Sequence, residues 1–159
     1  MPFENLPDHA YLPGLNERHA EDTFDAIRQT AEPGLNAAGL ARCDAFRVGL
    51  YLLKTNYCWE AHEVLEPVWM ALPAGSAERQ FVQGLIQLAI GRLKLNMGRP
   101  KAALRLVGLA RGLVQSSAAT VSQSGESGES GECITIMTLK VRDVNQQINS
   151  LQDDVMLVI

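Results

Sequence analysis

Apolar residues recur at three- and four-residue intervals along most of the chain, the period of helices that bury one face. From about Ala37 to Lys54 the stripe is Cys43, Phe46, Leu50 and Leu53. The next segment, about Tyr57 to Leu72, carries Ala61, Leu65, Val68 and Leu72 on one arc. It is apolar around most of its circumference, which marks it as the central helix. A third segment runs from about Ser76 to Met97. A fourth begins at Pro100 and extends to about Val114, with Ala103, Leu106, Val107, Ala110, Leu113 and Val114 on one stripe. Ahead of these, Phe24 and Ile27 predict a short helix within His19 to Ala31. Behind them, Met137, Val141, Val144, Ile148, Leu151 and Val155 alternate by four and three, the spacing of a coiled-coil seam.

The breaks between segments have recognisable chemistry. Pro33-Gly34, Thr55-Asn56 and Pro73-Ala74-Gly75 end helices, and Ser76 is a good N-cap with Glu78 in the first turn. Gly98 suits the position just past a helix end and Pro100 the first turn of the next, so this short connection predicts an antiparallel hairpin. Residues 1 to about 18 contain Pro2, Pro7, Pro13 and Gly14 without a period and read as an extended surface arm. Between Gln115 and Glu132 the composition falls to mostly Ser, Gly, Ala and Glu, with Ser-Gly-Glu repeated from Ser124 to Glu132. A mobile linker is expected there. The expected fold is all-α, a small bundle of antiparallel helical hairpins forming a single domain over 1–159. Its parts are an arm and short helix (1–36), a core bundle (37–114), a linker (115–132) and a C-terminal helix (133–159).

Composition narrows the function classes. The chain has 159 residues, 47% hydrophobic and 20% charged, with a formal charge of −4. A length of that order supports a core without disulfides or metal. The acidic balance argues against a general nucleic-acid binder. Three cysteines, Cys43, Cys58 and Cys133, show no metal-type spacing, and the first residues lack the basic and apolar regions of a signal peptide. A cytoplasmic protein with reduced thiols is the expectation, and no segment is apolar enough to span a membrane.

The candidate chemistry sits in the central helix, in Trp59-Glu60-Ala61-His62-Glu63-Val64-Leu65-Glu66-Pro67-Val68-Trp69. At about 100° per residue, His62 and Glu66 stack one turn apart, with Glu63 at their edge and both tryptophans beside them. Glu60 and Pro67 point in the direction that looks solvent-facing. A proline inside a helix deprives the Glu63 carbonyl of its intrahelical donor, so a polar pocket at His62, Glu63 and Glu66 is expected. His-Glu-x-x-His would supply two zinc ligands; here the second position is Glu66, so a divalent metal on His62 and Glu66 needs ligands from elsewhere. A metal-free acid/base pair and a purely structural buried network are the other readings. On the following helix, Arg79, Gln83, Gln87 and Lys94 share one side, and Gln83 and Gln87 could hydrogen-bond Glu66 and His62 if that side faces them. From Arg79 to Arg111 there are seven basic residues and no acidic one, a stretch that could draw an anionic ligand or an ordinary solvated face.

The tryptophan-to-tryptophan stretch is followed by Phe81-Val82-Gln83-Gly84-Leu85-Ile86-Gln87-Leu88-Ala89 and by the turn Gly98-Arg99-Pro100-x-Ala102-Ala103. Together these resemble the prokaryotic domain of unknown function numbered 309, over roughly Phe46 to Val114. The resemblance implies a small all-α bundle of tetratricopeptide-like hairpins. It places His62, Glu63, Glu66, Gln83 and Gln87 at motif positions, brings no activity or cofactor, and gives no role to His9 or His19. Two functions therefore stand as expectations. In one, His62, Glu63 and Glu66 form a hydrolase-like site, metal-dependent or acid/base, with Trp59, Trp69, Gln83 and Gln87 lining the ligand pocket. In the other, the motif is a structural network in a non-catalytic interaction module. The C-terminal helix either docks on its own bundle or makes a homo-oligomer.

Overall fold

A computed structural model describes residues 6–123 and 133–159. Its elements are α1 (Asp25–Arg28), α2 (Ala37–Arg42), α3 (Asp44–Lys54), α4 (Cys58–Ala71), α5 (Ala77–Asn96), α6 (Pro100–Gln123), a two-stranded antiparallel ribbon of β1 (Thr135–Ile136) and β2 (Leu139–Lys140), and α7 (Val141–Met156). The architecture is all-α. α3 and α4 form one hairpin, α5 and α6 a longer one, α4 packs on α5, and α7 returns onto α6 and α5.

The punctuation works as its chemistry predicts. Asn56 takes a left-handed φ of 67°, and Gly75 and Gly98 take φ of 79° and 77°. The Ser76 side chain accepts from the Arg79 N–H at 3.2 Å. Pro100 is the first residue of α6. The core joins Phe46, Leu65, Val68, Phe81, Leu85, Val107, Val114, Ile148 and Leu151, each at most 1% exposed. Burying a side chain of this size stabilises by about 1.5–3 kcal/mol, so the helix stripes are the main source of the fold's stability. Gly49 marks the closest approach: a Cβ there would sit 2.5 Å from Leu65 Cδ2, so α3 can lie against α4 only because that position is bare.

Several boundaries differ from the periodic reading. The helix expected over residues 37–54 is divided at Cys43, whose ψ of 155° is extended. The break is held from outside, because Thr30 Oγ1 accepts from the Ala45 N–H at 2.8 Å and caps α3. Within His19 to Ala31 only Asp25–Arg28 is helical, although Phe24 is buried as expected. α6 does not end near Val114. It continues to Gln123, so residues 115–123 are helix and not linker, with Ser117 and Ala118 buried on the extended stripe. The Ser-Gly-Glu run lies outside the described residues. The last helix starts only at Val141, and residues 135–140 ahead of it form the ribbon. Its turn residues Met137 and Thr138 both have positive φ, 51° and 66°. The seam of α7 is occupied internally, since Met137, Val141, Val144, Ile148, Leu151 and Val155 are all buried against the bundle. Among the described residues no helix is long and apolar enough to cross a membrane.

Candidate functional site

α4 runs from Cys58 to Ala71 through Pro67 without interruption. Ala61, Val64, Leu65 and Val68 are fully buried, which fixes the rotation of the helix and so the direction of every polar side chain on it. His62 and Glu66 stack as the period requires: His62 Nε2 lies 3.5 Å from Glu66 Oε2. His62 Nδ1 lies 3.8 Å from Glu63 Oε1, and Arg28 approaches the other oxygen of Glu63 at 4.0 Å. The trio is nevertheless not the buried pocket expected. The His62, Glu63 and Glu66 side chains are 28%, 24% and 41% exposed, so water reaches all three.

The buried carboxylate is Glu60, the one expected to face solvent. It is fully buried because the N-terminal arm covers it. Glu60 Oε1 accepts from the Tyr11 N–H at 2.6 Å and from His19 Nε2 at 3.1 Å. A carboxylate oxygen can only accept, so Nε2 of His19 carries the proton. Among the described residues Glu60 Oε2 is buried with no hydrogen-bond partner. The same arm is held by the Tyr57 hydroxyl, which donates to the Pro7 carbonyl at 3.1 Å, and by Tyr11, which sets its ring edge-on to Trp59 at 5.0 Å. Arg18 lies over the Trp59 ring at 5.1 Å. His19, given no role by the resemblance, is thus a clasp residue. Its contact with Glu60 spans 41 positions and leaves no local trace in the sequence.

The arm creates a cleft of about 550 Å³ beside His62. Pro13 and Gly14 of the arm form one wall, and Trp59 and His62 of α4 another. Opposite them stand Ile90, Leu93 and Lys94 of α5 and Met97 at its C-cap, with Arg99 in the turn before α6. Gln83 and Gln87 belong to the same heptad-spaced side of α5 as Ile90, Lys94 and Met97. Among the described residues, however, no hydrogen bond joins either glutamine to His62 or Glu66. The antiparallel register explains this: the start of α4 meets the end of α5, while Trp69 at the other end lies under the Arg79 guanidinium at 4.4 Å. Among the described residues the buried indole N–H of Trp69 has no hydrogen-bond partner.

Chemically, the site offers a histidine paired with a carboxylate at the edge of a cleft, an aromatic wall and two cations. His62 and Glu66 could hold a metal through two protein ligands. Among the described residues no group of three or more His, Cys, Asp or Glu side chains comes together around one point. Cys58, two residues before Glu60, is not a nucleophile in waiting, because burial pushes its thiol up to about 12. A larger cleft of about 630 Å³ lies away from the motif, between Lys54, Asn56, Arg92, Asn96, Gln147 and Asp154. Its polar groups are largely satisfied by one another: Arg92 pairs with Asp154 at 2.6 Å and Asn96 donates to Asn56 at 3.1 Å.

Compared with known proteins, the chain matches no curated protein and no solved structure. A family model does match, over residues 46–106, a span that holds α4, α5, the whole motif, both cations of the cleft and neither the arm nor α7. Over that span the chain is similar to the family described as Domain of unknown function (DUF309).

Proposed function

We propose that the cleft beside His62 is a hydrolase-like site in which His62 exchanges the proton and Glu66 orients it. The observation that carries this reading is the His62–Glu66 pair at 3.5 Å, placed at the edge of a cleft rather than inside the core. Histidine is the side chain best suited to taking and returning a proton near neutral pH, and a carboxylate on one ring nitrogen fixes the tautomer presented by the other. Glu63, close to the second ring nitrogen and to Arg28, is the candidate second base. Trp59 supplies a flat apolar surface for the substrate. A panel of nitrophenyl esters and phosphates tests the reading. Turnover should fall by about a hundredfold in His62→Ala, the usual size of a general acid/base contribution, and turnover indifferent to His62 contradicts it. A divalent metal on His62 and Glu66 is the other form of the same reading, with water or substrate completing the coordination. Elemental analysis of wild type and His62→Ala decides that form, and metal absent from both ends it.

The second reading is a non-catalytic interaction module, and the Glu60 clasp favours it, because part of the motif plainly holds structure together. Under it, His62→Ala and Glu66→Gln lower the melting temperature and leave partner binding intact. Self-association through the C-terminal helix would have to use the tail, since the seam is filled. Leu157, Val158 and Ile159 are 84%, 61% and 58% exposed. Light scattering on the full chain and on a chain ending at Met156 tests it, and a monomer in both rules it out.

A further inference from the structure

The electrostatics of the His62 cleft run against those of the whole chain. The protein carries a formal charge of −4, yet among the described residues no Asp or Glu lines this cleft, while Lys94 and Arg99 do. Among the described residues neither cation is engaged in an ion pair or a side-chain hydrogen bond. The absence of acidic residues from Arg79 to Arg111 means that no carboxylate on the second half of α5, or the first half of α6, is available to neutralise them. Arg18, over the Trp59 ring at 5.1 Å, places a third cation against the same aromatic side chain. Besides His62 the described lining is otherwise apolar, with Trp59, Ile90, Leu93 and Met97 its largest side chains, and the volume of about 550 Å³ lies within the roughly 300–1,000 Å³ usual for small-molecule sites. In the larger cleft the arginine is already neutralised by Asp154; here the charge is unspent.

We infer that this cleft binds a small organic anion with an apolar body, a phosphate monoester or a carboxylate. Lys94 and Arg99 hold the anionic group and Trp59, Ile90 and Met97 hold the rest. The inference rests on the reading of the His62 cleft as the working site and adds the class of substrate. An anion drawn in by two unpaired cations arrives with its reactive bond beside the one histidine of the cleft, which is what an acid/base group there requires. The requirement for both halves of the ligand is what separates this site from a plain basic surface, which would take any anion weakly and independently of its body.

Titration calorimetry on the full chain with phenyl phosphate, phenylacetate, phenol and inorganic phosphate tests it. At least one of the two aryl anions should saturate a single site and bind more tightly than inorganic phosphate, with phenol failing to saturate. The tighter of the two aryl anions tells a phosphate ester from a carboxylate. The double substitution Lys94→Gln and Arg99→Gln should weaken that binding by about tenfold or more, the scale of two lost charge-assisted contacts. Should that variant fail to fold, the wild-type salt dependence gives the same answer, since affinity for the aryl anion must fall as ionic strength rises. Phenol binding as tightly as the anions, no saturable anion binding, or affinity indifferent to salt overturns the inference. Calorimetry reads binding without turnover. Anion binding with no His62-dependent hydrolysis would therefore sink the acid/base reading alone, and His62-dependent hydrolysis confined to neutral esters would sink this one alone.

Discussion

Glu60 and Glu66 stand on the same helix, less than two turns apart, and have opposite fates. Glu60 is fully buried and clasped by Tyr11 and His19; Glu66 is 41% exposed and faces His62 across 3.5 Å. The difference is made by what covers them. The arm brings a backbone N–H and an imidazole to Glu60 and removes it from water, so the group can stay buried only while those donors are in place. Glu66 stays 41% exposed, and its pairing with His62 is a solvent-screened contact of small energy. One half of the motif is therefore tied to the arm, and the other half stays within reach of solvent.

The most severe way to break that comparison is to empty the clasp. Glu60→Ala leaves the Tyr11 N–H and His19 unpaired in a buried site and should cost about 3 kcal/mol. For a chain of this length that corresponds to a melting temperature lower by about 6–12 °C, and limited proteolysis should cut the arm before the bundle. An arm as protected as in wild type would show that Glu60 does not hold it. Gly49→Ala is the control for specificity. Its new methyl group meets the buried Leu65 and should cost about 1–3 kcal/mol, but by loosening α3 against α4, so calorimetry should show a lower melting temperature without early cleavage of the arm. Tyr57→Phe removes only the hydroxyl that donates to the Pro7 carbonyl, and about 1 kcal/mol is expected from one lost hydrogen bond. Its signature is faster arm cleavage with a nearly unchanged unfolding enthalpy.

The smallest of these effects is a titration. The Glu17 carbonyl, and after it the Asp8 carboxylate, raise the pKa of His9 above its ordinary 6.5. A pKa raised by folding means a contribution fully present below 6.5 and lost as pH rises through the elevated value. Proton NMR of the His9 ring should therefore give a midpoint above 6.5 in wild type, moving down towards it in Glu60→Ala if releasing the arm disperses those contacts. A midpoint unchanged by Glu60→Ala would separate the His9 end of the arm from the clasp.

What could be read from the sequence was what depends on neighbours in the chain. The stripes of α5 and α6, the Ser76 cap, the left-handed Asn56 and the stacking of His62 on Glu66 all follow from local period and residue chemistry. Distant partners were not legible. The Thr30 hydroxyl that splits α2 from α3 and the His19 imidazole that buries Glu60 come from outside the elements they shape. Reading α4 alone therefore assigned Glu60 to solvent, although its companion on that side, Pro67, is only partly covered. The ribbon before α7 escaped for another reason. A two-residue turn with both residues at positive φ usually announces itself with Asn or Gly, and here it is built from Met137 and Thr138. The continuation of α6 past Val114 was hidden by small residues, since Ser117 and Ala118 bury a stripe without looking apolar. For the site, the period of α5 grouped its polar side, but neither the direction in which that side faces nor its register was legible. Gln83 and Gln87 mark the right stripe, while the antiparallel packing brings Ile90, Lys94 and Met97 to His62.

The division of the motif into a half tied to the arm and a half within reach of solvent is tested most directly by thermal melts of Glu60→Ala and Glu66→Gln side by side with wild type. A drop of about 6–12 °C in the first, and a change in the second within the ~0.5 kcal/mol typical of an exposed pair, or about 1–2 °C, is the expected result. A Glu66→Gln variant that melts as low as Glu60→Ala would contradict it, because His62 and Glu66 would then be part of what holds the bundle together.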